Sequence, residues 1–579
     1  MNVFRYSLSV ILLLLGLCAW GAVLAADAPG RRMDRPFTGA PASPAFGRPE
    51  LPAFETKAEV PSPATAPAKP PPAAPDAGQR LLPGANIREI RLQGNRAIDD
   101  AELRKIADAY RGRWVSVLEL HELRQKLSLL YLEKGYVNSG AIIPDQEITD
   151  GVLRIQLIEG TLNAIRIIGN DHLSQSYLRE RIALGAGPPL NLYRLGVRLQ
   201  LLQSHPVIRS LNSELKPGAR PGEATLDVVV RERDPHRLIF DMGNARSPSV
   251  GEVTFGGEFN HLSLTGHGDR LAFRMEGGAG LTDFTLSYSL PLNARDTTLG
   301  VQSARDSNTV VSEPFQDLDI EGERNSGVLS ISHPLILSLD RQFLLSGGLE
   351  VEETKTTLGG EPFSFSPWAV DGRAKVALLY FGQDWIMRDP RQVLALRSTF
   401  KLGIDAFGST RYDPGPDSRF FSWLGQAQWA RRCKGGNQLI LRGDLQLSAD
   451  PLMTMEQYAL GGLNSVRGYR TNELVRDNAF FASAEYRYSL DEALGSDQSG
   501  NAPGLSLALF TDFGHGWNRE GPSLGVHSIY SVGLGLVWDP APEMHAELYW
   551  GLPLREVENL GRSLQDDGIH FRMIWRPQT

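Results

Sequence analysis

An arginine beside a glycine, Val466-Arg467-Gly468-Tyr469, lies in the longest turn-rich segment of the chain, from about 450 to 477, shortly after Leu460-Gly461-Gly462. Gly468 permits a tight turn next to a guanidinium. A guanidinium in a dry or narrow enclosure needs a carboxylate partner. The two strand-like segments that follow supply candidates. In Phe480–Leu490, Phe480, Ala482, Ala484, Tyr486 and Tyr488 share one face, and Ser483, Glu485 and Arg487 share the other. In Leu505–Phe513 the apolar Leu505, Leu507, Leu509 and Phe513 face one way, and Phe510 and Asp512 face the opposite way. Two acidic groups on adjacent strands can thus point into one enclosure. A loop folded inward can then set Arg467 between them in bidentate contact. The residues alone also allow Arg467 to sit in a solvated loop, with Asp512 merely ending a strand.

Other chemistry finds little support. No Ser-His-Asp arrangement and no metal-ligand spacing stands out, and His205, His261 and His267 are scattered. A nucleotide-binding Gly-x-x-x-x-Gly-Lys-Ser/Thr is missing from the sequence. Cys433 is the one cysteine outside the N-terminal leader, which excludes an internal disulfide. The expectation is a non-enzyme without catalytic residues, metal or cofactor. A formal net charge of -8 and the lack of a long Lys/Arg tract argue against a nucleic-acid partner.

Such a loop needs an enclosing wall, and the rest of the chain is read for one. Arg5, the apolar run Ser9 to Leu17 and the small-residue site Val23-Leu24-Ala25 predict a secretory signal peptide over 1–25. A lipidated Cys18 is disfavoured by the bulky Leu17 before it. Residues 26–85 are Pro/Ala-rich, as in Pro70-Pro71-Pro72-Ala73-Ala74-Pro75, and predict a periplasmic linker. A weak repeat follows at an offset of 75 residues: Ile90-Arg91-Leu92-Gln93-Gly94-Asn95 returns as Ile165-Arg166-Ile167-Ile168-Gly169-Asn170. Each copy predicts strand, helix, helix, strand, strand, giving two α+β modules over 86–160 and 161–234. Helix starts are expected at Asp99 and Ser116.

From 235 to 579 the period becomes two. Phe284, Leu286, Tyr288 and Leu290 alternate with Thr285, Ser287 and Ser289, and Val532, Leu534, Leu536 and Trp538 alternate with Ser531, Gly533 and Gly535. After Ala26 no uninterrupted apolar run is long enough for a membrane helix, so a membrane protein here spans by strands. The pattern predicts an all-β transmembrane barrel of about 16 antiparallel strands, with the 450–477 loop folded inward. Counts of 14 or 18 stay open because 305–324 and 353–368 are ambiguous. A soluble β-sandwich also alternates, with its apolar face inward. The envelope address, polar faces rich in Gly and Ser, and aromatics at strand ends (Tyr380-Phe381, Phe420-Phe421, Trp538, Trp575) favour the barrel.

Over about residues 87–579 the chain resembles the TpsB family, the transporter component of two-partner secretion, within the larger superfamily of barrel-assembly proteins. Val466-Arg467-Gly468-Tyr469 matches that family's signature on its inward-folded sixth extracellular loop, and Phe510-Thr511-Asp512 its signature on the thirteenth strand. The two modules resemble POTRA domains. Pro144, Gln146, Gly151, Leu153, Glu159 and Gly160 stand where the first POTRA of these transporters has its characteristic residues. The resemblance implies an outer-membrane exporter with periplasmic POTRA modules. These would bind an unfolded TpsA-type exoprotein by adding a strand to a sheet edge or by docking in a strand–helix groove. The barrel would pass the cargo outward without nucleotide hydrolysis, and an Arg467–Asp512 contact would hold the loop in a competent position. Outer-membrane lipid, periplasmic chaperones and the barrel-assembly machinery are the other expected partners. Many members carry an N-terminal helix that plugs the barrel. Residues 27–83 show no amphipathic run beyond the short Leu51–Glu59, so no helical plug is expected. The barrel-assembly signal is expected at Trp575, ahead of Arg576-Pro577-Gln578-Thr579. A barrel-assembly insertase of the same superfamily is the competing reading, although such proteins usually carry more POTRA modules. The repeat disfavours a simple diffusion porin.

Overall fold

The structure is a computed structural model that describes residues 84–577, apart from 414, 492–493, 495–503, 522–524 and 560–561. The expected signal peptide, most of the Pro/Ala-rich linker and the question of a plug helix therefore lie outside the described residues.

The repeat read from the sequence is two copies of one module. In the first, strand Glu89–Gln93, helices Asp100–Ala107 and Val117–Glu133, and strands Gly140–Ile142 and Val152–Ile158 follow in order. Val152–Ile158 is the central strand, parallel to Glu89–Gln93 and antiparallel to Gly140–Ile142. Both helices start where their caps allow. The Asp99 carboxylate accepts from the Ala101 N–H, and Ser116 and Glu119 form a reciprocal capping box. The helical stripe buries Leu123, Leu127 and Tyr131 against Leu103, Leu153 and Ile155. The sequence reading missed a two-stranded pairing of Gly84–Ile87 with Arg113–Ser116. These segments are only four residues each, too short to show a period.

The second module repeats the order with Thr161–Ile168, Gln175–Ala183, Leu192–Gln203, Ile208–Pro217 and Glu223–Glu232. A carboxylate closes each copy in the same way. Glu159 accepts from the N–H groups of Arg96 and Ala97 at 2.6 and 2.8 Å and from the Tyr131 hydroxyl at 3.2 Å. Glu232 accepts from Asp171, His172 and Leu173. Hydrogen bonds to a charged acceptor are worth more than neutral ones, so Glu159→Ala is expected to destabilise the first module by about 1–3 kcal/mol. Limited proteolysis of the full chain at rising urea reads this as earlier cleavage within 85–160, with the barrel unaffected.

Sixteen antiparallel strands close into a barrel. Strand 1 is His236–Gly243 and strand 16 is Ile569–Trp575. Strands 11 to 15 are Gln438–Ser448, Asn478–Ser489, Leu505–Trp517, Ser528–Ala541 and Met544–Pro553. The ambiguous stretches resolve into longer strands rather than extra ones. Strands 6 and 7 run Ile320–Leu337 and Arg341–Leu358. Their ends away from the modules carry Glu321, Glu323, Glu353 and Lys355, polar on both faces. Backbone pairing continues there with no alternation to read.

The apolar face of the wall points outward. Leu286, Val301, Leu329 and Trp550 are about half exposed, at 51, 50, 50 and 49 %, whereas the inward Glu350 and Glu352 are 1 and 2 % exposed. A sandwich would show the reverse, so this is a lipid-facing belt. The aromatic-belt reading needs one correction. Neighbours in a strand point opposite ways, so Phe381 and Phe421 face out with Trp538 and Trp575, while Tyr380 and Phe420 pack inward against Leu452 and Met453 of the loop.

The second module is tied to the barrel. The Arg181 guanidinium lies 3.6 Å from the Tyr177 ring centre and bonds Asp296 at 2.6 Å and the Asn293 carbonyl at 3.2 Å, in the turn between strands 4 and 5. Ser174 N–H donates to Gly266 O in the turn between strands 2 and 3. Burial against this joint pushes the His205 imidazole down to about 4.

Candidate functional site

The 450–477 loop folds into the barrel rather than over it. Its root is fixed by the Glu456–Lys401 ion pair at 2.8 Å and by the Tyr458 hydroxyl, which donates to Asp444 at 2.6 Å. A small hairpin, Tyr458–Leu460 with Leu474–Arg476, carries the tip. Val466 is fully buried, packed with Leu460, Tyr469, Leu474, Phe481 and Ile529.

Arg467 is 2 % exposed, and its two expected carboxylates, Glu485 and Asp512, are 1 % exposed each. Nε and Nη2 donate to the two Asp512 oxygens at 2.8 and 3.0 Å, a side-on bidentate pair. The Arg467 backbone N–H adds a third bond to Asp512 at 3.1 Å. Nη1 donates to Glu485 at 2.5 Å. Strand parity places these partners: Ser483 and Glu485 share the inner face of strand 12, and Phe510 and Asp512 that of strand 13. The guanidinium carbon lies 3.6 Å from the Phe510 ring centre and 4.6 Å from that of Tyr549. Glu485 also accepts from Arg487 at 2.6 Å and from the Tyr549 hydroxyl at 3.1 Å. Two guanidinium groups thus balance two carboxylates, the condition for burying such charges.

The next residues of the tip are held as firmly. Gly468 has φ of 91°, and its N–H donates to His570 Nε2 at 2.9 Å. Nε2 is therefore the unprotonated ring nitrogen of a neutral His570. A Cβ on Gly468 would meet Gly551 O at 2.8 Å, and one on Gly551 would meet Gly468 N at 2.7 Å. The Tyr469 hydroxyl lies 3.0 and 2.9 Å from the carbonyls of Tyr530 and Arg555. Arg470 makes a two-point pair with Asp566 at 2.6 Å.

Sequence reasoning therefore finds Val466, Arg467, Gly468, Tyr469, Glu485, Phe510 and Asp512, and the structure brings them together. It missed Tyr549, Gly551, Asp566 and His570. Parity along strands 15 and 16 set Tyr549 and His570 on the polar face, but nothing in the sequence set them under the loop tip. The residues of the first module serve elsewhere. Gln146 bonds both the N–H and the carbonyl of Arg154, at 2.8 and 2.7 Å, and donates to the Pro144 carbonyl at 3.2 Å. Gly151 takes a φ of 72° in the turn that leads into the central strand. Gly160 sits at the joint between modules, accepting from the Leu190 N–H at 2.7 Å.

A closed barrel with an outward apolar belt, two α+β modules ahead of it and an ion-paired loop inside defines a transmembrane barrel of the outer-membrane type. The chain belongs to the haemolysin secretion/activation protein ShlB/FhaC/HecB family, whose model matches residues 222–537. Residues 85–160 match the POTRA domain, ShlB-type. The outer membrane transporter CdiB of Escherichia coli is 24 % identical over 511 residues, covering 81 % of this chain and 82 % of that protein. The solved structure of CdiB from Escherichia coli superposes with a TM-score of 0.64 at 20 % identity, covering 87 % of this chain and 93 % of the other. BamA from Haemophilus ducreyi lacking POTRA domains 1–3 shares the fold at a TM-score of 0.53 and 15 % identity, covering 85 % of this chain and all of the other. The protein is thus an outer-membrane transporter of the two-partner secretion family, with its POTRA region on the periplasmic side.

Proposed function

We propose that this transporter exports one unfolded, β-rich exoprotein of the TpsA type, and that the Arg467–Asp512–Glu485 contact sets the loop in its export-competent position. The observation that carries this reading is the fully buried, charge-balanced arginine on a loop inside the lumen. A structural filler has no need of a buried guanidinium, since packed apolar residues stabilise as well or better. In this reading 1–25 is a cleaved signal peptide, 26–85 a linker, 86–160 and 161–234 the two POTRA modules, and 235–579 the barrel. The cargo's N-terminal domain docks as an added strand on an outer sheet edge of the modules. Ile208–Pro217, ten residues long, is the longest such edge strand among the described residues. Lipid surrounds the belt, and chaperones and the barrel-assembly machinery serve biogenesis. Folding of the cargo outside supplies the free energy, and the chain performs no catalysis.

The test is reconstitution. Purified full-length protein in liposomes, given the unfolded cargo, is expected to move it across the bilayer with no nucleotide present. A strict need for nucleotide would contradict the reading.

A further inference from the structure

The barrel closes on its weakest junction. Strand 1 pairs with strand 16 only from Phe240 to Gly243, opposite Trp575 to Arg572. Every other junction among the described strands has a longer register, the next shortest running from Met544 to Trp550 against Ile569 to Trp575. Past Gly243, backbone pairing contributes one more bond, from Asn244 N–H to Phe571 O at 3.2 Å. Side chains then take over. Asn244 is fully buried; its amide donates to Ile569 O and accepts from Phe571 N–H, both at 2.8 Å, and so imitates a further rung of the ladder.

Gln565, also fully buried, does the same from the other side. Its Nε2 donates to Asn244 O at 2.6 Å and to Arg246 O at 2.7 Å, on the exit of strand 1. Its Oε1 accepts from the Thr471 N–H at 2.7 Å, on the inward loop. All three partners are backbone groups of fixed polarity, so the amide has one possible orientation. Thr471 Oγ1 reaches the carbonyl of Ala245 at 3.2 Å. Arg470 and Gly468 hold Asp566 and His570, just before and within strand 16. Four consecutive tip residues thus include three that grip the two strands of the seam.

We propose that Gln565 is a positioning residue that couples the loop to the seam, so that the junction of strands 1 and 16 stays shut only while the loop is seated. The proposal rests on the reading that the loop moves during export. Withdrawal of the loop then removes the Thr471, Arg470 and Gly468 contacts together and leaves the short register with Asn244 alone. Freeing the lumen and loosening the wall become one event.

Hydrogen–deuterium exchange of the full-length protein in nanodiscs tests this. Q565E keeps the acceptor for Thr471 but loses both donors to strand 1, with almost no change of shape. It is expected to speed exchange of the amides in 569–575 about tenfold or more, with the strand 9–10 junction unchanged. R467A, which unseats the loop without touching the seam, is expected to do the same. Seam protection unchanged in Q565E overturns the proposal. So does R467A in which loop peptides exchange faster and 569–575 does not; export in that variant can still fail, so the loop reading stands apart. Conversely, R467A that loosens the seam yet exports normally supports the coupling and removes the loop from the export mechanism.

Discussion

Replacing Arg467 by alanine is expected to abolish export of the cargo while the barrel still folds and inserts. The substitution leaves Asp512 with no cation and Glu485 with Arg487 alone, both carboxylates about 1 % exposed. Removing one partner of a buried ion pair typically costs about 3–5 kcal/mol, because the remaining charge stays desolvated. The loop has an escape the barrel lacks: it can leave the lumen and let water reach the two acids. That exchange shifts a seated loop to an unseated one by a factor on the order of a thousand. The wall is held by sixteen strands of backbone bonds and does not depend on the tip. Charge reversal, as R467E or D512R, is expected to be worse than alanine, since it puts like charges against Glu485 or Arg467. Secreted cargo measured by immunoblot, beside heat-modifiable migration of the barrel, separates export from insertion. Normal secretion by both single reversals would remove the contact from the mechanism.

The second large effect is expected at Gly551. It lies in a regular strand where alanine carries no backbone strain, yet its Cβ would stand 2.7 Å from Gly468 N and 2.8 Å from Arg467 C. These are backbone atoms, which no side-chain rotation can move aside. G551A therefore pushes the loop tip off the wall while leaving strand 15 intact, at a cost of about 1–3 kcal/mol in overpacking. G468A adds the strain of a positive φ to the reciprocal clash. Export is expected to fall about tenfold or more in G551A and further in G468A. Trypsin cleavage after Arg467 or Arg470, absent while the tip is buried, is expected to appear in both. A G551A protein that exports at the wild-type rate with a protected loop would mean the close approach is incidental.

Much of this was legible from the sequence. Period two gave the barrel and the inner faces of strands 12 and 13, which is why Glu485, Phe510 and Asp512 could be named beside Arg467. The repeat at 75 residues gave the paired modules, and capping residues gave the helix starts. What stayed hidden depended on register rather than pattern. Asn244, Gly551, Gln565 and His570 are far apart in the chain and meet only because the sheet closes on itself with a particular stagger. No local signal encodes that stagger. Strands 6 and 7 were cut short for another reason: above the lipid both faces meet water, and the alternation vanishes though the hydrogen bonds continue. The Tyr380 and Phe420 misreading came from treating a pair of aromatics as one belt position, when strand geometry sends neighbours to opposite sides.

The shared fold with BamA leaves the choice between exporter and insertase to function, and one measurement decides it most directly. Deleting the chain's gene and comparing the secreted and outer-membrane proteomes tests the central claim. The exporter account predicts loss of one large exoprotein from the surface and medium, with the other outer-membrane barrels at normal levels. An unchanged set of secreted proteins, with broad loss of outer-membrane barrels, would contradict it.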